Sequence, residues 1–205
     1  MSPSIAVRRP TPEERDEGLA LARLAATGDT RAASRLLQRV APAMARVVRG
    51  VMGPYAADVD DTLQQSFIAL VQALPAFRGE CDPTSYACRI AFRLALAERK
   101  RARTQRSRLG DGDRAESLPG GSVPSDASEA RRRTERWRSL LEEIPEEQAE
   151  ALGLRNVLGW SIEEIASVAH APENTIRSRL RLAKEAIRRK IAADPSLAEE
   201  LGVDP

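Results

Sequence analysis

Apolar side chains recur at three- and four-residue spacings along most of this chain, and nowhere do they alternate as a half-buried strand requires. The pattern therefore predicts an all-α protein. Residues 1–17, rich in Pro and Arg, are expected to be loose. Leu19, Leu21 and Leu24 mark a short helix ending near Gly28, and Asp29 can cap the next. Leu36, Val40, Ala43, Val47 and Val51 carry a stripe down that second helix, with Pro42 inside it as an expected kink or break. Gly53 and Pro54 end it. Asp58 opens a third helix, with Asp60 and Asp61 in the first turn, where carboxylates favour the positive end of the helix dipole. Its expected buried side is Leu63, Phe67, Leu70 and Leu74, and Asp61, Gln64 and Gln65 lie opposite. Periodicity alone reads that polar strip as plain solvent surface. After a turn-rich loop from Pro75 to Pro83, Thr84 or Ser85 is expected to cap a fourth helix running to about Arg106, its inner face Tyr86, Ile90, Leu94 and Ala97.

From Ser107 to Ala130 there is almost no periodic apolar content, too little to offset the entropy of ordering, so residues 107–134 read as a flexible linker between two helical domains, 18–106 and 135–192. Trp137, Leu140, Leu141 and Ile144 begin the second domain, and a helix follows with Pro145 in its first turn and Gly159 beyond its end. Residues 193–205 are left as a tail.

Trp160 to Lys190 is the most informative stretch. Ser161 and Glu164 form a capping box. The helix they start turns Ile162, Ile165, Ala166 and Val168 inward, and His170, Ala171 and Pro172 end it in a turn of about four residues. His170 falls where a left-handed conformation is expected, which His tolerates better than most residues. In the next helix Ile176, Leu180, Ala183 and Ile187 form a buried stripe, while Arg177, Arg181, Lys184 and Arg188 form a basic one about a quarter-turn away. Asn174 and Ser178 stand beside it at the N-terminal end. Hydrogen-bonding side chains and phosphate-seeking cations on one exposed face read as the recognition helix of a DNA-binding helix-turn-helix, against the plainer reading of a solvated basic face.

The net charge of +2 conceals segregation: basic residues exceed acidic ones up to Arg108, acidic ones exceed basic from Leu109 to Glu150, and Arg177 to Lys190 is strongly positive within a neutral remainder. The cations from Arg99 to Arg108 suit melted DNA, with Tyr86, Phe92 and Phe77 as nearby aromatics, of which the two Phe residues read as core. No run approaches the ~20 apolar residues of a membrane span, and the start lacks a signal peptide, so a cytoplasmic location is expected. Cys81, Cys88 and His170 do not match zinc spacings, and the cysteines read as free, reduced thiols. With one His, scattered carboxylates and no Gly-rich phosphate loop, no catalytic residue, cofactor or metal is expected and the chain does not read as an enzyme.

With both domains read, the chain resembles the extracytoplasmic-function group of bacterial sigma-70 factors. The segment from Asp58 to Glu80, DVDDTLQQSFIALVQALPAFRGE, resembles the region 2 signature, Pro83 to Arg101 its continuation, and Ile144 to Lys190 region 4. The resemblance implies core RNA polymerase, through its β′ and β subunits, and promoter DNA as partners, together with an anti-sigma factor. It turns Asp60, Asp61, Gln64 and Gln65 into the face that docks on the β′ clamp helices, Gln65 standing where an acidic residue is commoner. It places Gly79, Glu80, Cys81 and Asp82 in the loop that captures a flipped base of the −10 element, with Tyr86 in place of a usual Trp and Arg93 in place of a usual Asn. Arg89 and Arg93 would lie toward that DNA. Glu173, Asn174, Thr175, Arg177, Ser178 and Arg181, continued by Lys184 and Arg188, fall where the family reads the −35 element. The rival is an autonomous helix-turn-helix regulator, which usually needs a dimer, and no heptad repeat or obvious dimer helix is present.

Overall fold

The computed structural model describes residues 10–53, 56–108 and 126–201, which form nine α-helices and no strand. The stretch from 109 to 125, most of the expected linker, lies outside the described residues, as do residues 1–9 of the expected loose start.

Helix α1 (Pro12–Ala26) begins inside the segment expected to be loose, because Thr11 and Glu14 form a reciprocal capping box: Thr11 Oγ1 accepts from the Glu14 N–H and Glu14 Oε2 from the Thr11 N–H. Helix α2 (Thr30–Met52) is capped as expected, with Asp29 accepting from the N–H groups of Arg31 and Ala32. It runs through Pro42 without breaking. Pro42 lies on the exposed face, where water can satisfy the carbonyl that loses its donor, while Leu36, Val40, Met44, Val47 and Val48 are sealed in the core.

Helix α3 (Val59–Ala73) and the 3-10 turn after it (Leu74–Ala76) lead to the longest element, α4 (Pro83–Arg108). Two inner faces differ from expectation. On α3 the buried residues are Val59, Thr62, Ser66 and Leu70, with Leu63 and Phe67 only partly covered. Small hydroxyl residues line the contact because Ser66 satisfies itself on the Thr62 carbonyl at 2.7 Å. On α4 the cap is Asp82, whose Oδ2 accepts from the Ser85 N–H, rather than Thr84 or Ser85. The buried residues are Pro83, Ala87, Cys88, Ala91, Phe92, Ala95 and Leu96; Tyr86, Ile90 and Leu94 are half-covered and Ala97 is exposed. Alanines one turn apart let helices approach closely, a signal that reading for bulky residues passes over. Helices α1 to α4 pack together as the first bundle.

Helix α5 (Asp126–Glu142) extends into the stretch read as linker, and α4 continues to Arg108, so residues 107–108 and 126–134 are helical. Helices α6 (Glu146–Asn156), α7 (Ile162–Ala169) and α8 (Glu173–Ala193) follow. A short α9 (Pro195–Leu201) occupies the expected tail and buries Leu197, Ala198 and Leu201, packing on α5 and α8. The two bundles do not stand apart: α4 touches α5, α6 and α7, and one hydrophobic core runs through both.

Candidate nucleic-acid interface

The helix-turn-helix is built locally. Ser161 Oγ accepts from the Glu164 N–H at 3.0 Å and Glu164 Oε2 from the Ser161 N–H at 2.6 Å, which starts α7 with Ile165, Ala166 and Val168 buried. His170 ends it in the left-handed region, φ 50° and ψ 44°, its N–H turned back to the Ala166 and Ser167 carbonyls. The turn is three residues, His170 to Pro172, because Pro172 is itself the N-cap of α8. Ile176, Leu180, Ala183 and Ile187 then anchor α8, and burying each of the three larger side chains, Ile176, Leu180 and Ile187, is worth about 1.5–3 kcal/mol.

The opposite face of α8 carries Glu173, Asn174, Arg177, Ser178, Arg181, Lys184 and Arg188, all exposed, with Thr175 half-covered. Arg177 pairs with Glu173 and Arg181 with Glu185, both at 2.7 Å and both one turn apart. Surface pairs of this kind are worth about 0.3–0.5 kcal/mol, so they give way readily to a phosphate or a base edge.

On α3, Asp60, Asp61, Gln64 and Gln65 are exposed, and the same face continues through Ile68 and Val71, two apolar side chains left in water. Sequence reading missed them. The signal was present, since Ile68 lies one turn beyond Gln64, on the face already singled out as polar.

The remaining candidates gather around the start of α4. Gly79 has φ 73°, Asp82 serves as the cap, and the Tyr86 ring packs against Phe77 at a centroid distance of 4.8 Å. Cys81 is buried, as is Cys88. Burial, and then the neighbouring Asp82 charge, push the thiols up to about 11 and about 12, so both stay protonated and unreactive at neutral pH. Glu80, Arg89 and Arg93 all meet partners from the second bundle, Arg89 largely out of solvent and Glu80 and Arg93 still exposed. Arg89 Nε lies 2.5 Å from Glu150 and its Nη1 donates to the Val168 carbonyl at 3.0 Å. Arg93 Nη2 lies 2.7 Å from Glu146. Glu80 Oε2 meets His170 Nδ1 at 2.9 Å, and Ser167 donates to the Glu80 carbonyl.

Further along, Arg99 bridges Glu142 at 2.5 Å and Glu135 at 2.6 Å and also donates to the Met52 carbonyl, while Arg138 donates to the Gly50 carbonyl. The end of α2 is thus held by one cation from each bundle. Glu143 joins Arg103 at 2.8 Å to Lys190 at 2.7 Å. For Glu135 and Glu143 burial opposes ionisation, but hydrogen bonds and charge from Arg99 and Arg138, and from Lys190 and Arg103, outweigh it and hold both below the usual carboxylate range. A depressed folded-state value contributes stability above the unfolded value of about 4.5 that is lost as pH falls through the folded one. Thermal unfolding followed by circular dichroism should therefore shift downward as the pH drops below about 4.5, and the shift should shrink in Glu135→Gln. An identical acid profile for that variant would remove Glu135 from the account.

Among the described residues no helix is long and apolar enough to cross a membrane, and no group of three or more His, Cys, Asp or Glu is placed to hold a metal ion.

Comparison with known proteins draws the same two blocks. Residues 36–105 match the family described as Sigma-70 region 2, and residues 134–187 match Sigma-70, region 4. An ECF RNA polymerase sigma-E factor of Salmonella typhimurium is 33% identical over 174 residues, spanning 80% of this chain and 88% of that protein. A protein of the same description from Haemophilus influenzae is 30% identical over 177 residues, spanning 80% and 89%. Among solved structures, CnrH in complex with the cytosolic domain of CnrY aligns over 87% of this chain and 99% of that one, with 25% identity and a TM-score of 0.51.

Proposed function

The chain belongs to the sigma-70 family, in its extracytoplasmic-function group, and on that premise we propose a division of labour among its residues. The protein is a promoter-directing sigma factor: it binds core RNA polymerase and brings it to promoter DNA. Sigma factors in general are not enzymes, and we assign this one no catalytic residue and no cofactor. Region 2 spans 18–106 and region 4 spans 135–192.

The observation that carries the residue-level reading is the outward face of α8, where Asn174, Arg177, Ser178, Arg181, Lys184 and Arg188 are all exposed above a sealed apolar stripe. Glu173, Asn174 and Thr175 open that helix. A helix presented this way by a capped turn enters a major groove with its first turns at base edges and its later cations beside phosphates. We assign it to the −35 element. We assign Gly79, Glu80, Cys81, Asp82, Tyr86, Arg89 and Arg93 to the −10 element, and Asp60, Asp61, Gln64 and Gln65 to docking on the β′ subunit. One solved structure that this chain resembles holds CnrH with the cytosolic domain of CnrY, and from the family we read an anti-sigma factor as a further partner here. Retention on immobilised core polymerase, followed by run-off transcription from candidate promoters, tests the reading. A chain that binds duplex DNA specifically but not polymerase would be an autonomous regulator instead.

Asp61→Ala combined with Gln64→Ala is expected to weaken core polymerase binding while leaving helicity unchanged, because both side chains are exposed on α3. Ile68→Ser should add to the loss, since an apolar side chain already in water has no core contact to give up. Affinity measured by fluorescence anisotropy beside far-UV circular dichroism decides; unchanged affinity would return this strip to plain solvent surface.

A further inference from the structure

Two ion pairs tie helix α8 to the elements behind it: Arg179 Nη2 lies 2.7 Å from Glu147 of α6, and Lys190 Nζ 2.7 Å from Glu143 in the turn before α6. The outward face is thus presented at a fixed orientation. Down its middle run Asn174, Ser178, Arg181, Glu185 and Arg188, at i, i+4, i+7, i+11 and i+14, with Lys184 and Arg189 on the flanks. A carboxylate between Arg181 and Arg188 is explained neither by helix stability nor by DNA affinity. Glu placed four residues after Arg is the weaker order of such a pair in a helix, and an anion on this face repels phosphates. What Glu185 does is hold Arg181, whose Nη1 donates to Glu185 Oε1 at 2.7 Å, with side chains 63% and 45% exposed. A guanidinium reads guanine with two parallel N–H groups, one to O6 and one to N7. Engaging Nη1 leaves the Nε–Nη2 edge of the fork, which carries such a pair, available to a base. At Arg177 the opposite holds, since its bond to Glu173 uses Nη2, a member of that edge.

We infer that Glu185 is a positioning residue that aims the Nε–Nη2 edge of Arg181 at a guanine in the major groove, which makes Arg181, rather than Arg177, the guanine reader of α8. The inference rests on the assignment of α8 to the −35 element proposed above. Glu185 need not let go when DNA arrives, because the ion pair and the guanine contact use different N–H groups. The pair is weak in water and strengthens as the duplex covers it and the local dielectric falls. Arg177, by contrast, has to release Glu173 before it can offer the same edge. Holding Arg181 beforehand lowers the ordering cost of binding. Neutralising its charge also weakens its attraction to phosphates, so the residue adds to discrimination between sequences more than to affinity for DNA in general.

The test uses the full chain in a titration against a randomised duplex library, followed by the selected duplex with one guanine at a time replaced by 7-deazaguanine, which keeps the base pair and removes only the N7 acceptor. At one position the wild type is expected to require guanine and to lose about tenfold on the 7-deaza duplex, within the range of one bidentate contact. Arg181→Ala should bind the two duplexes alike. Glu185→Ala should lose the same preference while binding unselected duplexes more tightly, with a salt slope steeper by roughly one, because Arg181 is released to phosphate. Glu185→Gln keeps an acceptor for Nη1 and should retain most of the preference, a rescue that a purely charge-repelling role does not give. A Glu185→Ala variant with the full guanine preference overturns the positioning role. A preference abolished by Arg177→Ala and untouched by Arg181→Ala overturns the choice of reader. If the library is read but no position responds to 7-deazaguanine, guanine is the wrong ligand, and the inference fails while the −35 assignment of α8 stands. A wild-type chain that selects no sequence at all overturns that assignment and the inference with it.

Discussion

Phe92→Ala is expected to lower the stability of the whole chain by about 3–5 kcal/mol, the range for deleting a fully buried aromatic ring. Phe92 is 0% exposed, yet it belongs to neither bundle alone: it projects from α4 and fills the space above Gly153 of α6. Removing it opens a cavity between two elements that are joined in sequence only through a long connection, so the loss should fall on their association as much as on the first bundle. Urea unfolding should show a lower midpoint and a broader or split transition as the halves uncouple, since two-state behaviour requires them to unfold together. Gly153→Ala provides the contrast, because it fills where Phe92→Ala empties and affects only the seam. A loss below about 1 kcal/mol for Phe92→Ala would mean that the ring is not inserted between the bundles and that they do not share a core.

Within α8 the expected effects separate by position along the helix. Arg177→Ala or Arg181→Ala should cost about 1–3 kcal/mol on a −35 duplex and relax the preference at particular base pairs, because these residues flank Asn174 and Ser178 at the end we assign to base edges. Lys184→Ala or Arg188→Ala should weaken binding to every sequence alike and reduce the salt slope by roughly one per lost contact, as counterion release requires. Arg177 and Arg181 begin from intrahelical pairs at 2.7 Å with Glu173 and Glu185, so part of their gain on DNA replaces an existing interaction. The apparent loss on truncation should therefore sit at the lower end of its range. The measurement is a titration against a duplex library at several salt concentrations. Equal loss for all four variants across the library would make all four phosphate contacts and leave base reading to Glu173, Asn174 and Ser178.

What was legible in the sequence was whatever a helix settles within its own turns. The Ser161–Glu164 box, the Asp29 cap, the left-handed His170 and the stripe from Ile176 to Ile187 depend on neighbours three or four residues away, and each stands where the pattern puts it. The same locality made the polar strip of α3 visible, although it hid the apolar continuation at Ile68 and Val71, which only exposure distinguishes from core. Short elements escaped for want of length: α9 has seven residues, and the start of α5 carries a run of arginines that reads as solvated.

The sequence by itself determined most of the helices, the turn and the exposed basic stripe of α8, because capping and periodicity are decided by hydrogen bonds and burial within a single element. Only the tertiary structure decided where α4 turns its second face. Arg89 finds Glu150 across 61 residues, Arg93 finds Glu146 across 53, and Arg99 finds Glu142 across 43. Periodicity records that a residue leaves water or stays in it, not which distant group it meets. A cation reads the same on a helix whether its partner is solvent, a phosphate or a carboxylate brought there by the fold.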